Sequence, residues 1–297
     1  MPRMGQTESI CSRYRGLDTW SDEDILDAFW EGQLRAVAAV REARAALAEA
    51  ARAMAGRLGE DGRIIYVGAG SSGRLGALDA VELGPTFGWP DERIVLLLAE
   101  GARLEPGLSG SFEDDAERGG AAMRALVPGA SDVVIALAAS GRTPFTCAAA
   151  EAAAEAGALV IAFANNADAP LFRSAGVAVL LDTGPEIISG STRMGAGTAQ
   201  KAALGLLSSL AMIRLGHVYD GLMVNLRVEN AKLRERALGI LTDITGCPQD
   251  AAARALDACG GRIKPAVLVA KGAAPSQADR LLRQAGGNLR KALGQLT

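Results

Sequence analysis

The sequence predicts an α/β fold: a doubly wound, parallel five-stranded sheet, with a long N-terminal helix and a small helical C-terminal domain. Three observations carry this. Short Val/Ile/Leu runs lack polar alternation, the mark of strands covered on both faces. Two of these runs pass directly into Gly/Ser loops that open helices. From about residue 217 onward the pattern is helical only.

In chain order, residues 1–20 are polar and irregular. Ser21-Asp22-Glu23-Asp24 reads as an N-cap with an acidic first turn. An Ala-rich helical stretch then continues to about Leu58, with Leu26, Phe29, Trp30, Leu34 and Val37 as its apolar face, set to pack on a sheet or another subunit. Strands are expected at 63–68, 93–98, 132–138, 158–163 and 177–181, and helices at 72–82, 115–126, 144–156 and 196–214. The expected organisation is an N-terminal segment and long helix over 1–58, a sheet domain over 59–240 and a helical bundle over 241–297. Within the last, Leu256–Gly261 and Leu282–Gly287 form a weak repeat, with Ala266 and Ala292 at matching positions.

Composition narrows the function. The 297 residues are 49% hydrophobic, enough for a full core. A net charge of −3 and 4% aromatic residues argue against nucleic-acid binding. No signal-peptide h-region and no membrane span are apparent. Cys11, Cys147, Cys247 and Cys259 are far apart, as expected of reduced thiols in a cytoplasmic protein. His217, the single histidine, lies at a break between helices and reads as a capping residue. No metal ligand set is apparent.

The chemistry concentrates in three hydroxyl-rich loops. Gly68-Ala-Gly-Ser71-Ser72-Gly73 follows the first strand, Ser140-Gly141-Arg142-Thr143 follows the third, and Ser189-Gly-Ser191-Thr192 comes later. Hydroxyls and free backbone N–H groups at helix starts suit a phosphorylated small molecule. The first loop also matches the dinucleotide fingerprint G-x-G-x-x-G, with Glu100 as a ribose-binding acid. Against that reading stand the long spacing to Glu100, the paired serines and the repetition of the arrangement in the second loop. Ser71 and Ser72 could also simply cap a helix.

Taken together, Tyr66–Gly76, Asp79-Ala-Val-Glu82, Pro85-Thr-Phe87, Glu113-Asp-Asp115, Thr183-Gly-Pro-Glu186 and Ser191–Lys201 resemble the N-acetylmuramic acid 6-phosphate etherase family, built on the sugar isomerase (SIS) fold. The resemblance covers roughly 60–297 and is most specific over 183–201. That family also resembles a sugar-phosphate-binding regulatory protein without catalysis, which is the competing reading. The sequence departs from the family pattern at Gly84, Gly195, Asn225 and Ser9-Ile10-Cys11.

The resemblance implies removal of lactate from a phosphorylated amino sugar, without metal or redox cofactor, by a cytoplasmic homodimer whose subunits complete each other's sites. It implies catalysis by Glu82 as acid and Glu113 as base. Apolar Val81, Leu83 and Phe87 are expected to keep Glu82 protonated. On spacing alone, the acids at 113–115 read equally as capping residues of the following helix. Ser71, Ser72, Ser140, Thr143, Ser191 and Thr192 are the expected phosphate and sugar contacts. Arg142 suits a phosphate or carboxylate, or a surface salt bridge. Glu186 either orients sugar hydroxyls or closes its loop.

Overall fold

The computed structural model describes residues 5–101 and 110–296. By internal packing these fall into two units that do not follow chain order. One comprises the residues up to Ala80 together with Glu92–Ser208; the other comprises Val81–Asp91 and the residues from Ser209 onward.

The first unit begins with two helices, α1 (Asp22–Glu42) and α2 (Arg44–Leu58), where one continuous helix is expected from sequence. The break is at Ala43, whose ψ of 1° leaves the helical range. Ser21 caps α1 as anticipated, accepting from the Asp24 N–H at 3.1 Å. The buried face of α1 is not the large apolar one. Ala28, Gly32, Ala36, Ala39 and Val40 face inward, while Leu26, Trp30, Leu34 and Val37 are more than half exposed. Close approach explains the choice: a Cβ on Gly32 would lie 3.0 Å from Ile187 Cγ1, so only small residues fit.

The sheet follows as β1 (Ile64–Gly68), α3 (Gly70–Phe87, which runs on into the second unit), β2 (Ile94–Leu98), α4 (Ala116–Ala125), β3 (Val133–Leu137), α5 (Pro144–Glu155), β4 (Leu159–Ala164), β5 (Val177–Leu180) and α6 (Gly195–Arg214). All five strands are parallel, in the order β2-β1-β3-β4-β5. β1, β3 and β4 are buried throughout; the edge strands β2 and β5 are not, since each has a neighbour on one side only. In this order the chain winds one way from β1 to β2 and the other way from β1 to β3. Ligands bind in the crevice beyond the strand ends at such a reversal.

A buried polar triad pins α3 and α6 to β1. Tyr66 donates to Asp79 Oδ2 at 2.7 Å, and Ser208 donates to Asp79 Oδ1 at 3.0 Å. Burial, then the Asp79 charge and hydrogen bond, push the Tyr66 phenol well above its usual range, so it stays a donor. Asp79→Ala strands the Tyr66 hydroxyl and leaves Ser208 only the Gly205 carbonyl at 3.5 Å, and is expected to cost about 1–3 kcal/mol, the penalty for one unsatisfied buried group. Urea unfolding of the variant measures it; a loss under about 0.5 kcal/mol would show that the triad is dispensable.

In the second unit a two-stranded ribbon, β6 (Val218–Tyr219) and β7 (Leu222–Met223), precedes five helices: α7 (Ala231–Thr245), α8 (Gln249–Ala258), α9 (Ile263–Ala270), α10 (Pro275–Gln284) and α11 (Leu289–Leu293). The weak sequence repeat is a structural one. α8–α9 and α10–α11 are joined by the same turn, Gly260-Gly261 with φ of 61° and 80°, and Gly286-Gly287 with φ of 59° and 73°. Gly261 donates to the Leu256 carbonyl at 2.9 Å, and Gly287 to that of Leu282 at 2.8 Å. Only glycine holds two successive left-handed residues without strain. His217 contacts the Phe87 carbonyl at 2.7 Å through Nδ1, a structural link within this unit.

Candidate active site

The loops after β1 and β3, at the reversal point of the sheet, enclose a cavity of about 320 Å³ in the first unit. The first loop is shaped by close approach. A Cβ on Gly68 would come within 2.8 Å of Gly73 Cα, so strand end and helix start touch, and both positions require glycine. α3 begins at Gly70, two residues before the start expected from sequence, which places Ser71 and Ser72 inside its first turn. They are therefore not its N-cap. Their N–H groups have no acceptor within the helix, and their hydroxyls make no hydrogen bond among the described residues.

In the second loop a Cβ on Gly141 would collide with Ala169 Cβ at 2.2 Å. The turn so formed sets Ser140 Oγ to accept from the Arg142 N–H at 3.1 Å, leaving its own proton free to donate. Thr143 is the N-cap of α5 but makes no side-chain cap bond, and Pro144 opens the helix. Arg142 lines the cavity and pairs with Asp168 at 2.9 Å, the surface salt bridge that was one of the two alternatives read from sequence.

Glu113 and Asp114 close another side, from a short turn Gly110–Asp114 before α4. Asp115 is the residue that caps α4, accepting from the Arg118 N–H at 2.9 Å. This frees Glu113 and Asp114 from that duty. A Cβ on Gly70 would lie 3.9 Å from Glu113 Oε2 and 4.0 Å from Glu100 Oε1, so the two carboxylates flank the start of α3. Burial first, then the charges of Asp114 and Glu100, raise the Glu113 carboxyl above its ordinary value. Glu100 itself accepts from the Gly70 N–H at 2.6 Å. The acid considered as a ribose ligand is thus bound to the glycine loop.

Ser71, Ser72, Glu113, Ser140, Arg142, Thr143 and Thr192 therefore meet in one cavity. Three other residues singled out in the sequence do not line it. Glu186 is 3% exposed, and its two oxygens accept from the Gly195 and Ala196 N–H groups, each at 2.8 Å; it closes its loop by capping α6. Ser191 sits in a turn whose N–H binds the Ile188 carbonyl, outside the lining. Glu82 lies on the exposed face of α3, ten residues past Ser72 in sequence. The apolar shelter expected around it is absent: Leu83 and Phe87 are buried, but Val81 is 58% exposed.

One lining residue was not anticipated. Glu8 reaches the cavity from the N-terminal segment. A signal for its anchor was in the sequence: Asn165-Asn166 follows an apolar strand directly, and polar residues buried at a strand end need partners. Among the described residues no cluster of His, Cys, Asp or Glu is placed to hold a metal ion.

A family model for the SIS domain matches residues 117–210. A curated N-acetylmuramic acid 6-phosphate etherase of Deinococcus radiodurans is 48% identical over 98% of this chain and 95% of its own length. The chain belongs to the N-acetylmuramic acid 6-phosphate etherase family. Etherases of Rubrobacter xylanophilus, at 42% identity over 92% of this chain and 94% of theirs, and Mycolicibacterium smegmatis, at 39% over 97% of both, match along nearly the whole length too. In the etherase family setting, the literal G-x-G-x-x-G is a strand–helix contact with two hydroxyls at its mouth. No helix among the described residues is long and apolar enough to cross a membrane.

Proposed function

We propose that this chain is a carbon–oxygen lyase that cleaves the D-lactyl ether of N-acetylmuramic acid 6-phosphate to N-acetylglucosamine 6-phosphate and D-lactate. It acts in the cytoplasm, in peptidoglycan recycling, as a homodimer. The observation that carries the reading is the meeting of Glu113 with five Ser/Thr side chains in a single cavity at the sheet's reversal point.

Ser71, Ser72, Ser140 and Thr143, with the N–H groups at the starts of α3 and α5, bind the 6-phosphate. Arg142 completes the charge balance, and Thr192 approaches the sugar from the third loop. In the open-chain sugar the C1 aldehyde acidifies the C2 proton. Glu113 takes that proton, the C3–O bond to lactate breaks and a C2=C3 double bond forms. Glu82 gives its proton to the departing ether oxygen and then draws one from water, whose hydroxide adds at C3 as C2 is reprotonated. The residues supply acid and base without a metal or redox cofactor.

Glu82 acts across a dimer interface. Leu78 and Val81, one turn away and adjacent on α3, are 45% and 58% exposed and leave an apolar surround around Glu82 open. A second copy closing on this face would exclude water from Glu82. The stripe of Leu26, Trp30, Leu34 and Val37 on α1 offers the same kind of surface.

Incubation with N-acetylmuramic acid 6-phosphate, with neither metal nor nucleotide added, and assay of free lactate tests the reading. Binding without release would favour a sugar-phosphate-binding regulator, and protection by NADH an oxidoreductase. Ser72→Ala and Ser140→Ala are each expected to raise KM roughly 10- to 100-fold, from hydrogen bonds to a charged group worth about 1.5–3 kcal/mol. An unchanged KM in both variants would remove them from the phosphate site.

A further inference from the structure

The geometry points to Glu8 as a further substrate-binding residue, which holds the uncharged hydroxyl and amide end of the phosphorylated sugar. This rests on the reading above. Glu8 belongs to a short turn, Gln6–Glu8, that is locked to the sheet. Asn166, 2% exposed just beyond β4, spends its whole amide on this lock. Its Oδ1 accepts from the N–H groups of Gln6 (2.6 Å) and Thr7 (3.4 Å), and its Nδ2 donates to Thr7 Oγ1 (3.1 Å) and the Ala139 carbonyl (3.0 Å). Thr7 is fully buried. The third loop joins in: Gly190 donates to the Thr7 carbonyl, and Ser189 Oγ to that of Glu8. One buried amide thus ties the N-terminal turn to the residue preceding Ser140.

All of that hardware fixes the backbone and leaves the Glu8 carboxylate unused. Among the described residues its carboxylate has no hydrogen-bond or ion-pair partner, and it lines the cavity. A Cβ on Gly190 would lie 3.0 Å from its Oε2, which places the carboxylate against the third loop. An ionised carboxylate only accepts hydrogen bonds, and it repels phosphate and lactyl oxygens alike. The groups it can receive are sugar hydroxyls and the acetamido N–H. Glu8 thereby decides which way round the sugar lies, with the phosphate at the helix starts and the donor-rich carbons at the third loop. Asn166 and Thr7 are positioning residues that act through it.

Calorimetric titration of the full-length protein with N-acetylglucosamine 6-phosphate, and separately with inorganic phosphate, tests this. Glu8→Gln is expected to weaken the sugar phosphate tenfold or more while phosphate binding stays within threefold or tightens. Thr7→Val and Asn166→Ala should weaken the sugar phosphate in the same selective way. Combined with Glu8→Gln, each should add less than its separate effect. The proposal is overturned if Glu8→Gln leaves the sugar-phosphate affinity within twofold, weakens both ligands equally, or if wild type binds no sugar phosphate. Should Asn166→Ala fail to fold, Glu8→Gln, at an exposed side chain, still decides the matter. Wild type that binds in this Glu8-dependent manner but releases no lactate would sink the etherase reading alone.

Discussion

Glu113→Gln is expected to lower lactate release by about a hundred- to ten-thousandfold and to abolish exchange of the C2 proton with solvent. A positioned base contributes about 10²–10⁴-fold. Glu82→Gln should also stop lactate release, yet retain C2 exchange, because the proton can still leave when the ether oxygen cannot. Deuterium incorporation in heavy water separates the two, and exchange retained by Glu113→Gln would exclude it as the base. The pH dependence follows from the raised carboxyl. Glu113 must be ionised to act, so kcat/KM should fall as pH drops through its raised pKa, at a higher pH than an ordinary glutamate would give. Asp114→Asn removes one cause of the rise and should move that limb to lower pH. The sign for stability is opposite. A carboxyl whose folded pKa exceeds its unfolded one favours the fold when protonated, an advantage lost as pH rises through the folded value. At neutral pH Glu113→Gln should therefore be no less stable than wild type, which separates lost chemistry from lost folding.

Mixing the two inactive variants should restore about a quarter of wild-type activity. Glu82 is exposed on α3, ten residues past Ser72 in sequence, and does not line the cavity that holds Glu113. If each site takes Glu113 from one subunit and Glu82 from its partner, random exchange makes roughly half the dimers mixed. Each mixed dimer has one site with both native acids and one with neither; that is about a quarter of all sites, by the closed symmetry of a two-fold dimer. The measurement is lactate release after co-refolding or subunit exchange, compared with each variant alone. Activity that stays at the background of the separate variants would show that both acids serve the same chain's site. The exposed apolar residues on the turn before Glu82 argue for the shared arrangement, since Leu78 and Val81 are 45% and 58% exposed.

Much of the site is legible in the sequence because its signals are local. An apolar run that stops at glycine and serine is a strand entering a helix, and the two loops after β1 and β3 follow from that pattern alone. Asp115 as the cap of α4 is also a local feature, but only the folded chain shows that capping consumes Asp115 and not Glu113. The orientation of α1 is not legible. Its large apolar residues mark one face, and its small ones another; hydropathy favours the first, while the 3.0 Å clearance at Gly32 selects the second. Glu186 shows the same limit. A carboxylate beside a serine loop reads equally as a ligand or a loop closer until two backbone N–H groups nine and ten residues away claim both oxygens.

The order of apolar runs and turn residues determined the strands, the parallel sheet, the family and the hydroxyl loops, because each depends on neighbours a few residues apart. Tertiary structure decided which of those hydroxyls and acids share a cavity. It brought Glu8 to Ser140 through Asn166, across more than a hundred and fifty residues of chain, and left Glu82 bare on the surface. Such meetings depend on strand order and on the clearance between packed elements, and neither is encoded in the spacing of residues along the chain.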